Sequence, residues 1–480
     1  MKKPSKWLIF ALLGIAQFMV VLDISIVNVA LPSIKTSLHF SQDALQWVIT
    51  AYALTFGGFL LLGGRAADLF GRRRMLLIGM VSFSLISLLI GLSQSAAMLI
   101  VLRALQGLTA AMMSPAALST VLTTFSEGAE RNKALGLWST IATGGAAVGL
   151  LLGGVLSEYL SWHWNFFVNV PIGILVSLGI ARFVPAHARE ERRNALDLPG
   201  AVLVTSGLIS LVYALSEAPH WGWLSGNTLG MIGVSAVLIA GFIVNESRVE
   251  HPLMPLTIFK IRNVTGANLM MAPIMAGMMG MFFLLSLYVS GVMHYTPVMT
   301  GLAFLPFPVT LGIISTRVAR LVAKFGFKPF LIAGPLLVTL GVAWLSRVPL
   351  AGNYVTDLLP SLLLIPAGMG LTFMPLMAAA TSGVPGHEAG LASGLINTSQ
   401  QMGGAVGLAA LSGIAASVTV HATHLNALAA VVHGYDRAFL AGVLFMAFAL
   451  LLAVTVIRQP KRQPRGTSHD GGSAEPVSVH

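Results

Sequence analysis

The chain has 480 residues, of which 56% are apolar and only 9% charged, against about 45–50% and roughly 25% in soluble proteins. So few charges cannot cover the surface of a water-soluble domain this size, which excludes an ordinary soluble enzyme and a disordered chain, and the absence of cysteine excludes disulfides, thiolate metal sites and redox thiols. The excess of 28 Lys+Arg over 17 Asp+Glu sits in short clusters between apolar runs, the pattern of a membrane topology signal and not of a nucleic-acid surface.

A bilayer core about 30 Å thick takes about 20 apolar residues per helix. Spans are expected at 7–31, 46–67, 75–95, 97–122, 134–157, 164–184, 198–216, 227–244, 264–291, 297–317, 329–346, 358–382, 390–420 and 436–457, fourteen in all. The basic start and apolar run of the N-terminus resemble a secretory signal, but the run is too long and no small-residue cleavage site closes it, so it reads as the first span.

Within that span Asp23 stands in Val20-Val21-Leu22-Asp23-Ile24-Ser25-Ile26. A charge at membrane depth costs several kcal/mol and normally faces an interior with a partner. Two readings are open: a structural interhelix bond, or a proton- or cation-binding carboxylate. Gly64-Arg65-Ala66-Ala67-Asp68-Leu69-Phe70-Gly71-Arg72-Arg73-Arg74 then joins spans two and three. Its glycines allow a tight turn, and Asp68 can pair with arginines or a helix N-terminus; Gly64, Asp68, Gly71, Arg72 and Arg73 are candidates for a conformational latch.

The fourth span carries Arg103. At 1.5 Å per residue it lies about 9 Å below its edge and Asp23 about 12 Å, so the pair is expected to meet. Arg103 either tunes Asp23 and occupies it when deprotonated, or is a static brace; it cannot give up its own proton. Gln106, one turn on, extends the polar line. In the fifth span Gly145, Gly149 and Gly153 recur every four residues with Gly154 beside them, a face that admits a partner backbone.

Trp47, Trp162, Trp164, Trp221 and Trp223 at outer ends, with Trp7 and Trp138 at inner ends, read as an interfacial belt. Span nine is methionine-rich (Met270, Met271, Met275, Met278, Met279, Met281), which suits packing first and a promiscuous apolar surface second. Pro297, Pro306, Pro308 and Pro375 are expected to kink later spans. Asn28, Gln106, Met275, Met279 and Asn397 are candidate substrate-cavity residues. No other acid and no histidine is expected mid-span. The 459–480 tail reads as disordered.

Arg65, Gly71 and Gly79 recur as Arg320, Gly326 and Gly334, an offset of 255 residues that makes spans nine to fourteen a second copy of spans one to six. The expected organisation is an N-terminal six-helix bundle (1–184), two linker spans with their loops (185–263), a C-terminal six-helix bundle (264–457) and a cytoplasmic tail (458–480). Of the 28 basic residues, 24 fall on the side of the termini; Lys35, Arg347 and Arg437 fall opposite and Arg103 inside, which makes the termini cytoplasmic. No Gly-x4-Gly-Lys-Ser/Thr and no His-Glu-x-x-His occurs, so neither P-loop ATP hydrolysis nor intramembrane metalloprotease chemistry is expected. Neither metal nor cofactor is expected.

Several segments resemble one family. Leu22-Asp23-Ile24-Ser25-Ile26-Val27-Asn28-Val29-Ala30-Leu31-Pro32, the 64–74 loop, Leu102-Arg103-Ala104-Leu105-Gln106-Gly107, Trp162-His163-Trp164-Asn165-Phe166-Phe167-Val168-Asn169-Val170-Pro171-Ile172-Gly173, Ala392-Ser393-Gly394-Leu395-Ile396-Asn397-Thr398 and Gln401-Met402-Gly403-Gly404 are similar to motifs of the fourteen-span drug:proton antiporter family of the major facilitator superfamily. The resemblance implies an all-α polytopic fold and a monomer in a bacterial cytoplasmic (inner) membrane. It also implies proton-driven export of amphipathic, often cationic compounds, with Asp23 as a protonation site, Arg103 as a proton-coupling residue, and Asp68 and Arg72 in the latch. Leu150 stands where Pro is usual, which bears on antiport against symport; His163 stands for Arg and Ser290 for Gln. Span ten has no acid, so monocations, neutral lipophiles or zwitterions are expected over dications. The rival readings are a narrow carrier of an endogenous metabolite or lipid, and a non-transporting membrane sensor or scaffold; an enzyme is not expected.

Overall fold

A computed structural model describes residues 5–125, 129–185, 197–250, 252–384, 389–423 and 425–459. The first half comprises α1 (Lys6–Ser37), α2 (Gln42–Leu45), α3 (Trp47–Phe70), α4 (Arg72–Gly91), α5 (Ala96–Thr124), α6 (Ala129–Tyr159), α7 (Trp164–Phe167) and α8 (Asn169–Phe183). The linker pair is α9 (Leu198–Trp221) and α10 (Gly226–Arg248), followed by a 3-10 turn at Leu256–Lys260. The second half comprises α11 (Arg262–Gly291), α12 (Pro297–Phe304), α13 (Pro306–Phe325), α14 (Lys328–Leu345), a π turn at Tyr354–Leu358, α15 (Leu359–Thr381), α16 (Ala389–His421) and α17 (Ala427–Thr455). Fourteen segments are long and apolar enough to cross a membrane, as the hydropathy pattern predicts, and no strand occurs among the described residues.

Local chemistry sets the helix ends. Side chains of Ser95, Asp197, Ser225, Thr296 and Asn426 accept the backbone N–H three residues on and start α5, α9, α10, α12 and α17. Gly71 (φ 95°) separates α3 from α4 and Gly326 (φ 79°) separates α13 from α14, so both repeat glycines occupy the left-handed region that other residues avoid. Pro306 divides the tenth span into α12 and α13, whereas Pro375 stays inside α15.

The helix pairings repeat between the halves: α1–α6 with α11–α16, α3–α5 with α13–α15, α4–α5 with α14–α15, and α4–α8 with α14–α17. The halves meet where α3 lies on α16, α6 on α12 and α1 on α11, and α9 packs on both α3 and α16. Exposed apolar side chains line the outside, for example Val81, Leu85 and Leu88 on α4, Leu175 and Leu178 on α8, and Leu444 and Leu451 on α17. In water such a surface would aggregate; in lipid it is the solvated face.

Three expectations need correction. The last helix starts at Ala427, not near residue 436, because Asn426 caps it; His433, Asp436 and Arg437 therefore lie within α17, and Asp436 joins Glu158, Glu217, Glu246 and Asp357 as acids other than Asp23 inside the spanning segments. At about 1.5 Å per residue its 29 residues exceed the bilayer core. Trp162 is buried and stacked on His163, not part of an interfacial belt.

Candidate functional site

Asp23 and Arg103 meet as the depth arithmetic predicts, and both are buried, at 0% and 1% exposure. Arg103 Nη1 donates to Asp23 Oδ2 at 2.6 Å and to Gln106 Oε1 at 2.6 Å. Gln106 Nε2 donates to Asp23 Oδ1 at 3.0 Å and to Ser87 at 2.9 Å, and Asn169 Nδ2 donates to the same Oδ1 at 3.1 Å. Arg103 Nε donates to the Val48 carbonyl at 2.8 Å, and its guanidinium lies 4.5 Å from the Tyr52 ring centre and 5.9 Å from that of Phe166. The cluster thus draws on α1, α3, α4, α5, α7 and α8.

Backbone approach makes this arrangement possible. A Cβ on Gly107 would lie 2.3 Å from the Tyr52 carbonyl, so only glycine brings α5 close enough to α3 for Arg103 to reach Val48. On its other side α1 packs against the glycine stripe. Gly145 faces Phe18 and Val21, Gly149 faces Leu22 and Ser25, and Gly153 faces Ile26. Gly154 points elsewhere, to Pro297 and Val298 of α12, and is a contact between the halves.

Chemically, the carboxylate receives three hydrogen bonds, one of them from a guanidinium that carries a full counter-charge. A proton arriving there would cancel the Asp23 charge and leave Arg103 held by Gln106, Val48 and the Tyr52 ring. Two neighbouring polar atoms are unsatisfied, Asn169 Oδ1 and the Tyr52 hydroxyl, so the site has spare hydrogen-bonding capacity.

Of the latch residues, Gly71 makes the left-handed turn and Gly64 lies 3.6 Å, by its would-be Cβ, from Pro115. Arg73 Nη2 donates to the Ala181 carbonyl of α8. Arg72 begins α4, and the Asp68 side chain lies outside the described residues. The cavity candidates do not cluster. Gln106 belongs to the buried cluster. Asn28 Nδ2 donates to Ile24 O at 2.8 Å, while the Asn28 carbonyl accepts from Ser286 of α11 at 2.9 Å. Met275 is buried, and the Met279 stem lies against Gly404, which places both in the packing of α11 on α16; Asn397 is exposed. Asn169, Ser87, Tyr52 and Val48 were not foreseen as site residues, although Asn169 stands inside a quoted motif.

On the face opposite the termini the halves are tied together. Gln46 at the start of α3 donates to Ser216 of α9 at 2.9 Å and accepts from Ser412 of α16. Glu158 of α6 accepts the Val298 N–H of α12 at 2.8 Å, and a Cβ on Gly301 would lie 2.5 Å from the Leu150 carbonyl.

The Major Facilitator Superfamily model matches residues 13–408. The puromycin resistance protein pur8 of Streptomyces alboniger is 40% identical over 94% of this chain and 91% of its own. The cephamycin export protein CmcT of Amycolatopsis lactamdurans is 37% identical over 95% and 93%, and the tetracenomycin C resistance and export protein of Streptomyces glaucescens 34% over 86% and 76%. Among solved structures, the POT family transporter PepTSo shares the fold with a TM-score of 0.67 at 16% identity, over 95% of this chain and 99% of that one. The chain belongs to the major facilitator superfamily and is a multi-pass membrane transporter of that fold.

Proposed function

We propose that this transporter exports amphipathic, monocationic or neutral compounds across a bacterial cytoplasmic membrane in exchange for protons, as a monomer with cytoplasmic termini, no resident cofactor and no enzymatic activity. The carrying observation is the Asp23–Arg103 ion pair, which is fully buried at membrane depth and linked by Asn169 and Gln106 to four helices. A charged pair at membrane depth is costly, and such pairs mark ion and proton pathways in membrane carriers. In this reading Asp23 takes a proton from the outer side as substrate leaves, releases Arg103 from the pairing, and gives the proton up inside when substrate enters. The latch loop around Gly71 and the seam at Gln46 and Gly154 close opposite faces in turn. The bias of basic residues toward the termini supports the orientation, and the names of the relatives support export of drug-like compounds.

The test uses purified protein in proteoliposomes with an internal pH dye, an imposed pH gradient and ethidium. Ethidium-stimulated proton flux in the wild type, lost in Asp23→Asn, supports the reading. Flux that survives the mutation moves the proton site elsewhere, and no flux with a dozen amphipathic drugs overturns multidrug exchange. A second reading, a narrow exporter, is favoured by relatives named for single compounds; there one compound of the panel is moved and the rest are ignored.

A further inference from the structure

An acidic pair, Asp197 and Glu246, lies on the linker helices, far in sequence from Asp23. Asp197 caps α9: its Oδ1 accepts the Gly200 N–H at 2.9 Å, and Asn245 Nδ2 donates to both carboxylate oxygens at 2.9 and 2.8 Å. Glu246, in the last turn of α10, accepts the Met254 N–H on Oε2 at 2.7 Å. Asp197 and Glu246 are 4% and 3% exposed. Glu246 Oε1 is buried with no partner, and it is aimed at Asp197. A Cβ built on Gly200 would lie 2.4 Å from Asp197 Oδ2 and 2.7 Å from Glu246 Oε1, so the two oxygens converge within about 5 Å around one glycine.

Two ionised carboxylates cannot share so small a buried space without a counter-charge. The groups that act on Glu246 are Asp197 and the amides of Met254 and Leu253. Asn245 on its own helix is neutral, with Arg248 half a turn beyond Glu246. The α3 helix, packed here through Leu62, carries Arg65 and Asp68 further along. Residues 186–196, which include Arg189, Arg192 and Arg193, lie outside the described residues. One proton resolves the geometry: placed on Glu246 Oε1 it donates to Asp197 Oδ2 and satisfies the orphaned atom.

We propose that Asp197 and Glu246 share one proton, forming a second proton site that clasps α9 and α10 to the 252–261 segment. This goes beyond the export reading and does not depend on it. The segment matters because of what it touches. Met254, Ile258, Phe259 and Ile261 pack with Leu61 of α3 and with Leu391, Ala392 and Leu395 of α16, where the two halves meet near the termini. With the proton gone, the carboxylates repel, Glu246 turns away, and the Met254 amide loses its acceptor. The occupancy of the pair then reports to the seam between the halves.

The test is an infrared titration of purified protein, following the carbonyl stretch of a protonated carboxylic acid. The expected result is a band in wild type that disappears as pH rises, survives in Asp23→Asn, and is lost in Glu246→Gln. Glu246→Gln keeps the size and supplies an N–H to Asp197, so it preserves the clasp while removing the proton. Asp197→Asn, which still caps α9, changes the pH at which the band is lost. A wild-type spectrum whose acid band is untouched by Glu246→Gln overturns the proposal in favour of an ionised pair held by an arginine. A Glu246-dependent band that appears only when sodium and magnesium are withdrawn overturns it in favour of a cation site.

Discussion

The α1–α6 seam allows a graded perturbation with a control on the same helix. An ideal Cβ at Gly153 would lie 2.8 Å from the Ile26 carbonyl oxygen, with the Ile26 Cγ1 and Cα atoms at 2.9 and 3.1 Å. At Gly149 the nearest atoms are Ser25 Cβ at 2.8 Å and the Leu22 carbonyl at 3.0 Å; at Gly145 nothing is nearer than 3.3 Å, and at Gly144 nothing lies within 4 Å. Ordinary contact begins near 3.4 Å, so Gly153→Ala forces α1 and α6 apart by about 0.6 Å against backbone that cannot rotate away. Overpacking of this kind costs about 1–3 kcal/mol, while replacing glycine in a helix by alanine gains about 1 kcal/mol. The expected balance is a destabilisation of about 0–2 kcal/mol at Gly153 and Gly149, near zero at Gly145, and a stabilisation of up to about 1 kcal/mol at Gly144. Thermal unfolding of the four purified variants should rank them in that order. Because Asp23 sits on α1 between Leu22 and Ser25, the same shift pulls at its 2.6 Å contact with Arg103, and transport should fall with stability. A Gly153→Ala protein as stable as Gly144→Ala would refute the packing argument.

Two further outcomes are expected. Arg103→Leu leaves the Asp23 carboxylate buried without a counter-charge and should cost about 3–5 kcal/mol, whereas Asp23→Asn with Arg103→Gln should recover part of that loss; thermal midpoints that fall equally in both would show that the pair is not coupled. His163, outside the spanning segments, is stacked on Trp162 at 3.8 Å, and burial lowers its pKa from the usual 6.5. Its folded value lies below its unfolded one, so the unfolded state takes the proton first and stability is full above about pH 6.5 and lost as pH falls from there toward the folded value. Wild-type unfolding temperatures should therefore drop more than those of His163→Gln between about pH 7.5 and about pH 5.5, and equal slopes would remove His163 as the cause.

Much of the site was legible because membranes punish charge and reward glycine. Asp23 and Arg103 stand out in apolar runs, and a helical rise places them at one depth. The four-residue spacing of Gly145, Gly149 and Gly153 predicts one face, and that face meets α1. Asn169 was hidden for the opposite reason: a neutral amide in a motif gives no signal of its own, and its contact with Asp23 spans 146 positions. The Val48 carbonyl carries no side-chain signal at all. Asp436 was misplaced because a run containing His433, Asp436 and Arg437 lowers local hydropathy, while the Asn426 cap and neighbouring alanines still hold it helical. The Glu246–Asp197 pair was invisible because Glu246 stands among polar residues where α10 leaves the membrane, and only the fold turns it inward.

A carrier must tie its charge state to which face is open, and α1 has the contacts to do so. Asp23 faces α5 and α8, Leu22, Ser25 and Ile26 face the glycines of α6, and the Asn28 carbonyl accepts Ser286 of α11 across the divide between the halves. The α6 helix continues the path, since Gly154 abuts Pro297 and Glu158 holds the first turn of α12. All of these contacts lie within a few turns of one another on two helices whose glycine faces bring backbone close to backbone. A ligand shifts a two-state equilibrium only by its difference in affinity for the two states. If α1 moves relative to α5 when the Asp23–Arg103 bond breaks, the α6–α12 contact must move or strain with it. On the proposed exchange reading, that strain would make the proton's affinity for Asp23 depend on whether the face opposite the termini is closed.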